Sequence, residues 1–274
     1  MGKFDEILIC TDLDGTLYKN DKTVSAENRE AIEYFKREGG LFTFITGRMP
    51  YYSMDAYGAA RPNAPFGCVN GGAVYDAVKN EYLWMYGGMP PEVLELVEHI
   101  DKNFSNVGIQ TITFENTYFS KENEVQKHFR SLTGLPNIVR HYREVAEPIA
   151  KIIFAVCYED EMAGVVKALR EHPLAENFTF VRSEKHLFEI LPKGVDKGHG
   201  LKKLVECLGC DMNKTVAVGD FDNDVGMLRE ARYGIAVANC SPKAREAADY
   251  VTVSNEEHAL ARIIYDIEKG AYKF

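Results

Sequence analysis

ILICTDLDGT, at residues 7–16, is an apolar run that stops at two aspartates, Asp12 and Asp14. Four consecutive apolar residues predict a strand that is buried on both faces of a parallel sheet. The two carboxylates then lie at or just past the carboxyl end of that strand, which is where open α/β sheets place their ligands. Gly15 allows the sharp backbone turn that follows.

Two carboxylates this close repel each other, so they either share a proton or hold a cation between them. Mg²⁺ is the favoured cation, because it takes oxygen ligands from one or two carboxylates and keeps water or phosphate oxygens for the rest. The ordinary alternative is a strand followed by a solvated turn, since Asp and Gly are common in surface turns. Three further segments decide between these interpretations.

The composition is that of a globular protein with one large domain or two smaller ones, since 46% of the 274 residues are hydrophobic. The start of the chain lacks the pattern of a secretory signal, and no apolar window reaches the length of a membrane span, so we expect a cytoplasmic protein with no membrane contact. The six scattered cysteines are typical of reduced thiols. A formal net charge of −9 disfavours a nucleic-acid partner but not a small anion.

Two more strands are predicted before residue 84, and polar signatures follow both. Ser25 can cap a helix that reaches residue 38, and the strand at residues 41–45 then ends in Thr46, Gly47 and Arg48. A hydroxyl group with exposed N–H groups and a cation suits an oxyanion. A third strand at residues 66–70 ends at Asn70, Gly71 and Gly72. Alternating strands and helices predict an α/β fold with a doubly wound, mainly parallel sheet.

The pattern changes near residue 84, where paired strands with helices to one side predict an inserted α+β domain. We expect this insert at residues 84–186 and the catalytic core at residues 1–83 and 187–274. The strand at residues 187–191 is assigned to the core in this scheme.

The remaining two signatures lie in the second core segment. Lys197 stands at a predicted helix start, where a cation is unfavourable unless an anion lies beside it. A strand at residues 215–218 then runs into GDFDND, which holds Asp220, Asn223 and Asp224. So much negative charge at the end of a buried strand predicts a bound cation. Asp222, in the same run, is interpreted as a solvated turn residue.

Together, DLDGT, Thr46 in TGR, Lys197 in GVDKG and GDFDND resemble the haloacid dehalogenase superfamily of phosphotransferases. The position of the insert is similar to that in Cof-type phosphatases, which carry a large α/β cap on a Rossmann-like core. The resemblance implies a Mg²⁺-dependent phosphatase that acts on small phosphorylated metabolites, such as sugar phosphates, nucleotides or phosphorylated cofactors. The cap would then determine the substrate.

The resemblance also implies a role for each site residue. Asp12 would be the nucleophile that forms an aspartyl phosphate, and Asp14 would be the general acid and base. Thr46, Gly47 and Lys197 would bind the phosphoryl group, and Arg48, Asn70 and Gly71 would contact the substrate. The Mg²⁺ ligands would be Asp12, the backbone carbonyl of Asp14, Asp220, Asn223 and Asp224, the last two directly or through water.

Two alternatives stay open at this point. A phosphomutase of the same superfamily would return the phosphoryl group to the sugar instead of to water. A regulatory protein could keep the pocket only to bind phosphate or a metal ion, although the presence of Asp12, Asp14, Lys197 and Asp220 together argues against it. The sequence does not indicate the physiological substrate or the oligomeric state.

Overall fold

A computed structural model describes residues 2–274 and divides them into two compact units. The first unit contains residues 2–85 and Asp196–Phe274, and the second contains Tyr86–Val195. Thirteen strands in this part of the chain are, in order, β1 (Leu8–Thr11), β2 (Leu41–Phe44), β3 (Phe66–Cys68), β4 (Ala73–Asp76), β5 (Glu81–Met85), β6 (Gly108–Thr113), β7 (Thr117–Lys121), β8 (Ile149–Ala155), β9 (Phe178–Glu184), β10 (Leu187–Pro192), β11 (Thr215–Gly219), β12 (Tyr233–Ala236) and β13 (Tyr250–Val251).

The same residues form nine α-helices. In chain order these are α1 (Ala26–Arg37), α2 (Met54–Ala60), α3 (Val93–Asn103), α4 (Glu124–Thr133), α5 (Glu159–Arg170), α6 (Lys197–Leu208), α7 (Val225–Glu230), α8 (Pro242–Ala247) and α9 (Ala259–Glu268). Side-chain hydrogen bonds cap the start of several of these helices, among them the predicted cap at Ser25. Ser25 accepts a hydrogen bond from the N–H of Asn28 at the start of α1, and Asp196 accepts one from His199 at the start of α6.

The first unit is built on a parallel sheet with the strand order β13-β12-β11-β1-β2. Its central strands β1 and β11 are fully buried, as their continuous apolar runs predict. Leu8 and Cys10 from β1 and Ala217 from β11 pack with Leu201 and Leu204 of α6 in one apolar cluster. The predicted α/β class with a doubly wound parallel sheet is confirmed.

The region after β2 differs from the predicted third parallel strand. β3 is shorter than expected and pairs in antiparallel fashion with β4, which pairs with β5 in a separate three-stranded sheet. An isolated bridge between Ile45 and Gly67 links β3 to the edge of the parallel sheet. The chain leaves β3 at Val69 through a left-handed turn, so residues 69 and 70 do not continue the strand.

The second unit is an antiparallel sheet with the strand order β7-β6-β8-β10-β9. Helices α3 and α5 contribute apolar residues to a core that includes Ile152 and Phe154 of β8 and Phe188 and Ile190 of β10. This is the α+β insert that the sequence predicts.

The expected boundary at residue 187 requires correction. β10 pairs with β8 and β9 within the second unit, and the first unit resumes only at Asp196. The local pattern predicts the strand itself correctly but carries no information about which strand it pairs with. Phe188 and Ile190 of β10 are buried in the core of the second unit, so their burial depends on that sheet.

Candidate active site

Neighbouring parallel strands bring the predicted acidic residues together. Asp12 directly follows β1 and Asp220 directly follows β11, and the two strands are paired with Thr11 opposite Val218. The N–H of Asp12 donates to the carbonyl of Val218 at 2.8 Å, which ties the start of the DLDGT loop to β11. Carboxylate oxygens of Asp12, Asp220 and Asp224 all lie within 4.8 Å of one another.

Lys197 lies between two of these carboxylates. Its Nζ atom is 2.5 Å from Oδ1 of Asp12 and 2.6 Å from Oδ1 of Asp224, and its side chain is fully buried. Burial alone would lower the pKa of Lys197, but the two carboxylates outweigh it and raise the pKa. The lysine therefore stays charged, and Asp12 and Asp224 are the anions that lie beside this cation at the start of α6.

Asp224 organises the loop that carries Asp220. One of its oxygens accepts hydrogen bonds from the N–H groups of Asp220 and Phe221, each at 2.9 Å, while the other accepts from Lys197. Both oxygens of this buried carboxylate therefore already have hydrogen-bond donors. The contacts give Asp224 a clear part in holding Lys197 and the loop.

Thr16, in the DLDGT loop, holds Asp220 in place. Its Oγ1 donates a hydrogen bond to Oδ1 of Asp220 at 2.7 Å. The contact requires close approach at Gly15, where φ is +80° and an added Cβ would lie 2.5 Å from Oδ2 of Asp220. Only glycine combines this backbone conformation with this spacing. Thr16 is therefore a site residue that the sequence interpretation missed, although it lies within the quoted motif.

The cluster carries more negative than positive charge. Burial, together with repulsion from Asp224 and Asp12, raises the pKa of Asp220 to about 8. Burial also raises the pKa of Asp12 to about 7, against the opposing effect of Lys197. Without a further cation, protons are the only means of relieving this excess.

The donor set fits a hard divalent cation. Three carboxylates within 4.8 Å of one another supply the oxygen ligands that Mg²⁺ prefers, and neither sulfur nor imidazole belongs to this cluster. A bound cation would also compensate the charge that Lys197 leaves uncompensated. Three of the predicted metal ligands, Asp12, Asp220 and Asp224, are thus close enough together to hold one ion.

Asp14 lies apart from this carboxylate cluster and is bound by two cations. Arg48 Nη2 is 2.7 Å from its Oδ2, and Lys22 Nζ is 2.9 Å from its Oδ1. Although burial acts to raise the pKa of Asp14, Arg48 and Lys22 together lower it. Lys22 lies in the polar loop before α1, and nothing in its local sequence indicates a contact with Asp14.

Thr46, Gly47 and Arg48 follow β2, the other neighbour of β1. Ile45, just before them, donates its N–H to the carbonyl of Thr11 at 3.0 Å, so this loop begins beside the DLDGT loop. Thr46 is buried, and its Oγ1 accepts a hydrogen bond from the N–H of Arg48 at 3.2 Å. Arg48 is half-buried and paired with Asp14, so a predicted substrate-binding residue contacts the predicted general acid and base.

Asn70 and Asn223 meet in the interior. Nδ2 of Asn223 donates to Oδ1 of Asn70 at 3.1 Å, and Asn70 is fully buried. Gly71 packs so tightly that an added Cβ would lie 1.9 Å from the carbonyl oxygen of Asp196. The structure therefore gives Asn70 and Gly71 contacts within the protein, with Asn223 and with Asp196.

Asp222 also differs from the expectation of a solvated turn residue. Its Oδ1 accepts from Ser241 Oγ at 2.9 Å, and its Oδ2 lies 2.5 Å from Lys243 Nζ. Both partners lie at the start of α8, so Asp222 anchors the acidic loop to that helix. Asp222 lies outside the cluster formed by Asp12, Asp220 and Asp224.

The chain also matches a known protein family. The family model for haloacid dehalogenase-like hydrolases matches residues 9–264. The chain belongs to this family. The resemblance to Cof-type phosphatases of the haloacid dehalogenase superfamily is thereby confirmed, on a match that includes all four polar segments.

Relatives of this haloacid dehalogenase-like hydrolase span nearly its whole length. It is 26% identical over 264 residues to the 5-amino-6-(5-phospho-D-ribitylamino)uracil phosphatase YitU of Bacillus subtilis, covering 94% of this chain and 96% of the relative. It is 27% identical over 286 residues to the phosphatase YwpJ of the same species, covering 94% and 98%. A solved haloacid dehalogenase-like hydrolase from Bacteroides thetaiotaomicron is 26% identical, with a TM-score of 0.79 over 95% of this chain and 99% of that one.

These relatives agree with the predicted enzyme class, a phosphoric monoester hydrolase. Within residues 2–274, no helix combines the length and the apolar character that crossing a membrane requires.

Proposed function

We propose that this haloacid dehalogenase-like hydrolase is a Mg²⁺-dependent phosphatase that hydrolyses small phosphomonoesters through an aspartyl phosphate on Asp12. The observation that carries the proposal is the buried Lys197, which contacts Asp12 and Asp224 within a cluster of three carboxylates. This arrangement provides a nucleophile, a cation beside it and ligands for a metal ion in one place. Its charge suits a phosphate dianion only when a cation is bound.

Asp12 and Asp220 would hold the Mg²⁺ through their side chains, together with the backbone carbonyl of Asp14. Asn223 and Asp224 would support the ion directly or through water molecules. When bound, the ion supplies positive charge that offsets the repulsion between the phosphate dianion and the carboxylates. Thr16 would keep Asp220 oriented through its hydrogen bond.

In the first step, a carboxylate oxygen of Asp12 attacks phosphorus, a new bond between that oxygen and phosphorus forms, and the ester bond to the alcohol breaks. Lys197 holds the carboxylate in place and stabilises the charge on the transferring group. Thr46 and the N–H groups beside it, including that of Gly47, would orient the phosphoryl oxygens.

Asp14 would give its proton to the leaving alcohol and later take one from the water molecule that hydrolyses the aspartyl phosphate. Inorganic phosphate then leaves and the carboxylate of Asp12 is regenerated. Because Arg48 and Lys22 lower the pKa of Asp14, these pairs must loosen before Asp14 can carry a proton. Arg48 would then be available to contact the substrate.

The substrate class we propose is a small phosphorylated metabolite, such as a sugar phosphate, a nucleotide or a phosphorylated cofactor. The relative YitU is named for such a compound, a phosphorylated ribitylaminouracil. The Tyr86–Val195 unit would select the substrate, and the remaining unit would perform catalysis in the cytoplasm.

The test is phosphate release from a broad panel of phosphorylated metabolites with Mg²⁺, using the wild type and Asp12→Asn in parallel. The amide is close in shape but is a poor nucleophile, so we expect kcat to fall about 1,000-fold or more while the melting temperature stays close to that of the wild type. Undiminished hydrolysis by Asp12→Asn would refute the assignment of Asp12 as the nucleophile. Absence of turnover by the wild type across the panel would refute the proposed phosphatase activity.

A further inference from the structure

The turn at residues 69–71, directly after β3, has an unusual backbone. Val69, Asn70 and Gly71 are all left-handed, with φ values of +57°, +50° and +91°. A β-branched residue such as valine rarely adopts this conformation, because its side chain crowds the backbone. Strain of this kind persists only where surrounding contacts hold it, and it is concentrated at functional sites.

This turn contacts three segments that carry predicted site residues. The N–H groups of Val69 and Asn70 donate to the carbonyls of Arg48 and Thr46, each at 3.0 Å. The side chain of Asn70 accepts from Asn223 in the acidic loop at 3.1 Å. Gly71 packs against the carbonyl of Asp196, the residue before Lys197.

The side chain of Asn70 is central to these contacts. It is fully buried, and a Cβ added to Gly47 would lie 3.1 Å from both its Nδ2 and its Oδ1 atoms. The amide group therefore packs against the backbone of the Thr46–Gly47 turn on one side and bonds to Asn223 on the other. Asparagine is among the few residues that tolerate a left-handed backbone while offering such a group.

We infer that Asn70 is a positioning residue, which holds the Thr46–Gly47 backbone against Asn223 so that both keep the geometry needed to bind a phosphoryl group. The inference rests on the proposed function and deepens it, because it assigns Asn70 to the support of the phosphate loop instead of to the substrate. Small displacements of such a loop are costly, since a shift of about 1 Å can reduce a rate about 100-fold.

The experiment compares Asn70→Gly with Asn80→Gly. Asn80 is a matched control, because it is also left-handed, with φ of +57°, and its Oδ1 accepts a hydrogen bond from Tyr75 in the β4–β5 turn. Glycine keeps the left-handed backbone at either position and removes only the amide. We measure kcat and KM with several phosphomonoesters, the melting temperature, and the affinity for inorganic phosphate by calorimetry.

For Asn70→Gly we expect kcat to fall about 10- to 100-fold for every substrate, and phosphate affinity to weaken about 10-fold. Asn80→Gly should stay within about twofold of the wild type, because its amide group bonds within the hairpin. If Asn70→Gly keeps the wild-type kcat and phosphate affinity, the inference is overturned. A change in KM that depends on the alcohol part of the substrate would also overturn it, because that change indicates direct contact with the substrate.

If Asn70→Gly does not fold, Asn70→Asp is tested in its place. It preserves the shape and the acceptor for Asn223, but its carboxylate beside Gly47 should repel phosphate and weaken phosphate affinity about 10-fold or more. Unchanged affinity would contradict the inference. Phosphate binding needs no turnover, so weakened binding by the variants supports the positioning role even if the wild type proves not to be a phosphatase.

Discussion

Each of the two units of the molecule contains a buried lysine, and the partners of the two lysines differ. Lys197 in the first unit contacts Asp12 and Asp224, with Asp220 in the same cluster. Lys151 of β8, in the second unit, is paired with Glu189 of β10 at 2.8 Å, and both side chains are almost completely buried. One lysine thus belongs to a cluster of three carboxylates, and the other is paired with Glu189.

The difference separates the proposed active site from an internal ion pair. The Lys151–Glu189 pair joins one positive charge to one negative charge, and replacing such a pair with apolar residues is often neutral. The Lys197 cluster is left with an excess of negative charge that is costly to bury. We infer that this excess is retained because a cation and a phosphoryl group complete the site.

The largest expected effect comes from Lys197→Met. Removing the amine leaves Asp12 and Asp224 without their shared cation and removes a charge that stabilises the transferring phosphoryl group. We expect kcat for phosphate release to fall about 1,000-fold, or about 4 kcal/mol. A decrease of less than about tenfold in folded protein would contradict the role of Lys197.

Lys151→Met is the matched substitution in the second unit, and its main effect should be on stability. It leaves Glu189 buried without its cation, so we expect the free energy of unfolding to fall by about 3–5 kcal/mol in urea titrations. The kcat of the folded protein should change far less than in Lys197→Met.

The double variant Lys151→Met with Glu189→Leu tests the reason for that loss. Because both charges are removed, it should recover most of the stability lost in the single variant. If it stays as unstable as the single variant, the loss comes from packing and not from an uncompensated charge.

The excess negative charge of the first unit also predicts a dependence on pH. The pKa values of Asp12 and Asp220 are raised to about 7 and about 8 by burial and by their carboxylate neighbours. The folded protein without metal therefore holds protons that the unfolded chain releases near pH 4, so the contribution of these groups to stability falls as the pH rises through 7 and 8. Mg²⁺ should consequently raise the melting temperature more at about pH 8 than at about pH 5.5.

Asp220→Asn provides the control for this pH experiment. It removes one of the two raised pKa values and one metal ligand, so the difference in Mg²⁺ stabilisation between the two pH values should shrink. If Mg²⁺ stabilises the wild type equally at both pH values, or more at the lower one, the cluster does not carry the proposed excess of negative charge.

The smallest expected effect is that of Thr16→Val, which removes the hydroxyl donor to Asp220 but keeps the shape of the side chain. The loss of one hydrogen bond to a charged acceptor should raise the Mg²⁺ concentration for half-maximal activity about 5-fold, or about 1 kcal/mol. Thr16→Ser, which keeps the hydroxyl group, should remain close to the wild type. Equal behaviour of the two variants would show that the hydroxyl group has no role.

Local sequence patterns predicted most of the first unit. The apolar runs of β1 and β11 indicated buried parallel strands, and the acidic residues directly after them were expected at one edge of the sheet. These predictions succeeded because strand formation and turn formation depend on neighbouring residues. The position of Lys197 at a predicted helix start only suggested a neighbouring anion, and its proposed role came from the resemblance to the family.

Other features were beyond the reach of local patterns. β10 reads as a strand in the sequence, yet its pairing with β8 and β9 in the second unit could not be inferred from its residues. Asp14 is bound by Arg48 and by Lys22, whose surroundings in the sequence are an ordinary polar loop. The left-handed conformation of Val69 contradicts the preference of valine, so only the surrounding contacts could reveal it.

The sequence alone determined which residues end the buried strands, and hence the family and the set of acidic and basic groups available for chemistry. The tertiary structure decided which of those groups meet, because Lys197 and Asp12 are 185 positions apart in the chain and only the pairing of strands and helices brings them within 2.5 Å. It also decided that Asn70 faces the interior. The physical reason is that backbone conformation responds mainly to neighbouring residues, whereas ion pairs and sheet partners depend on contacts between distant segments.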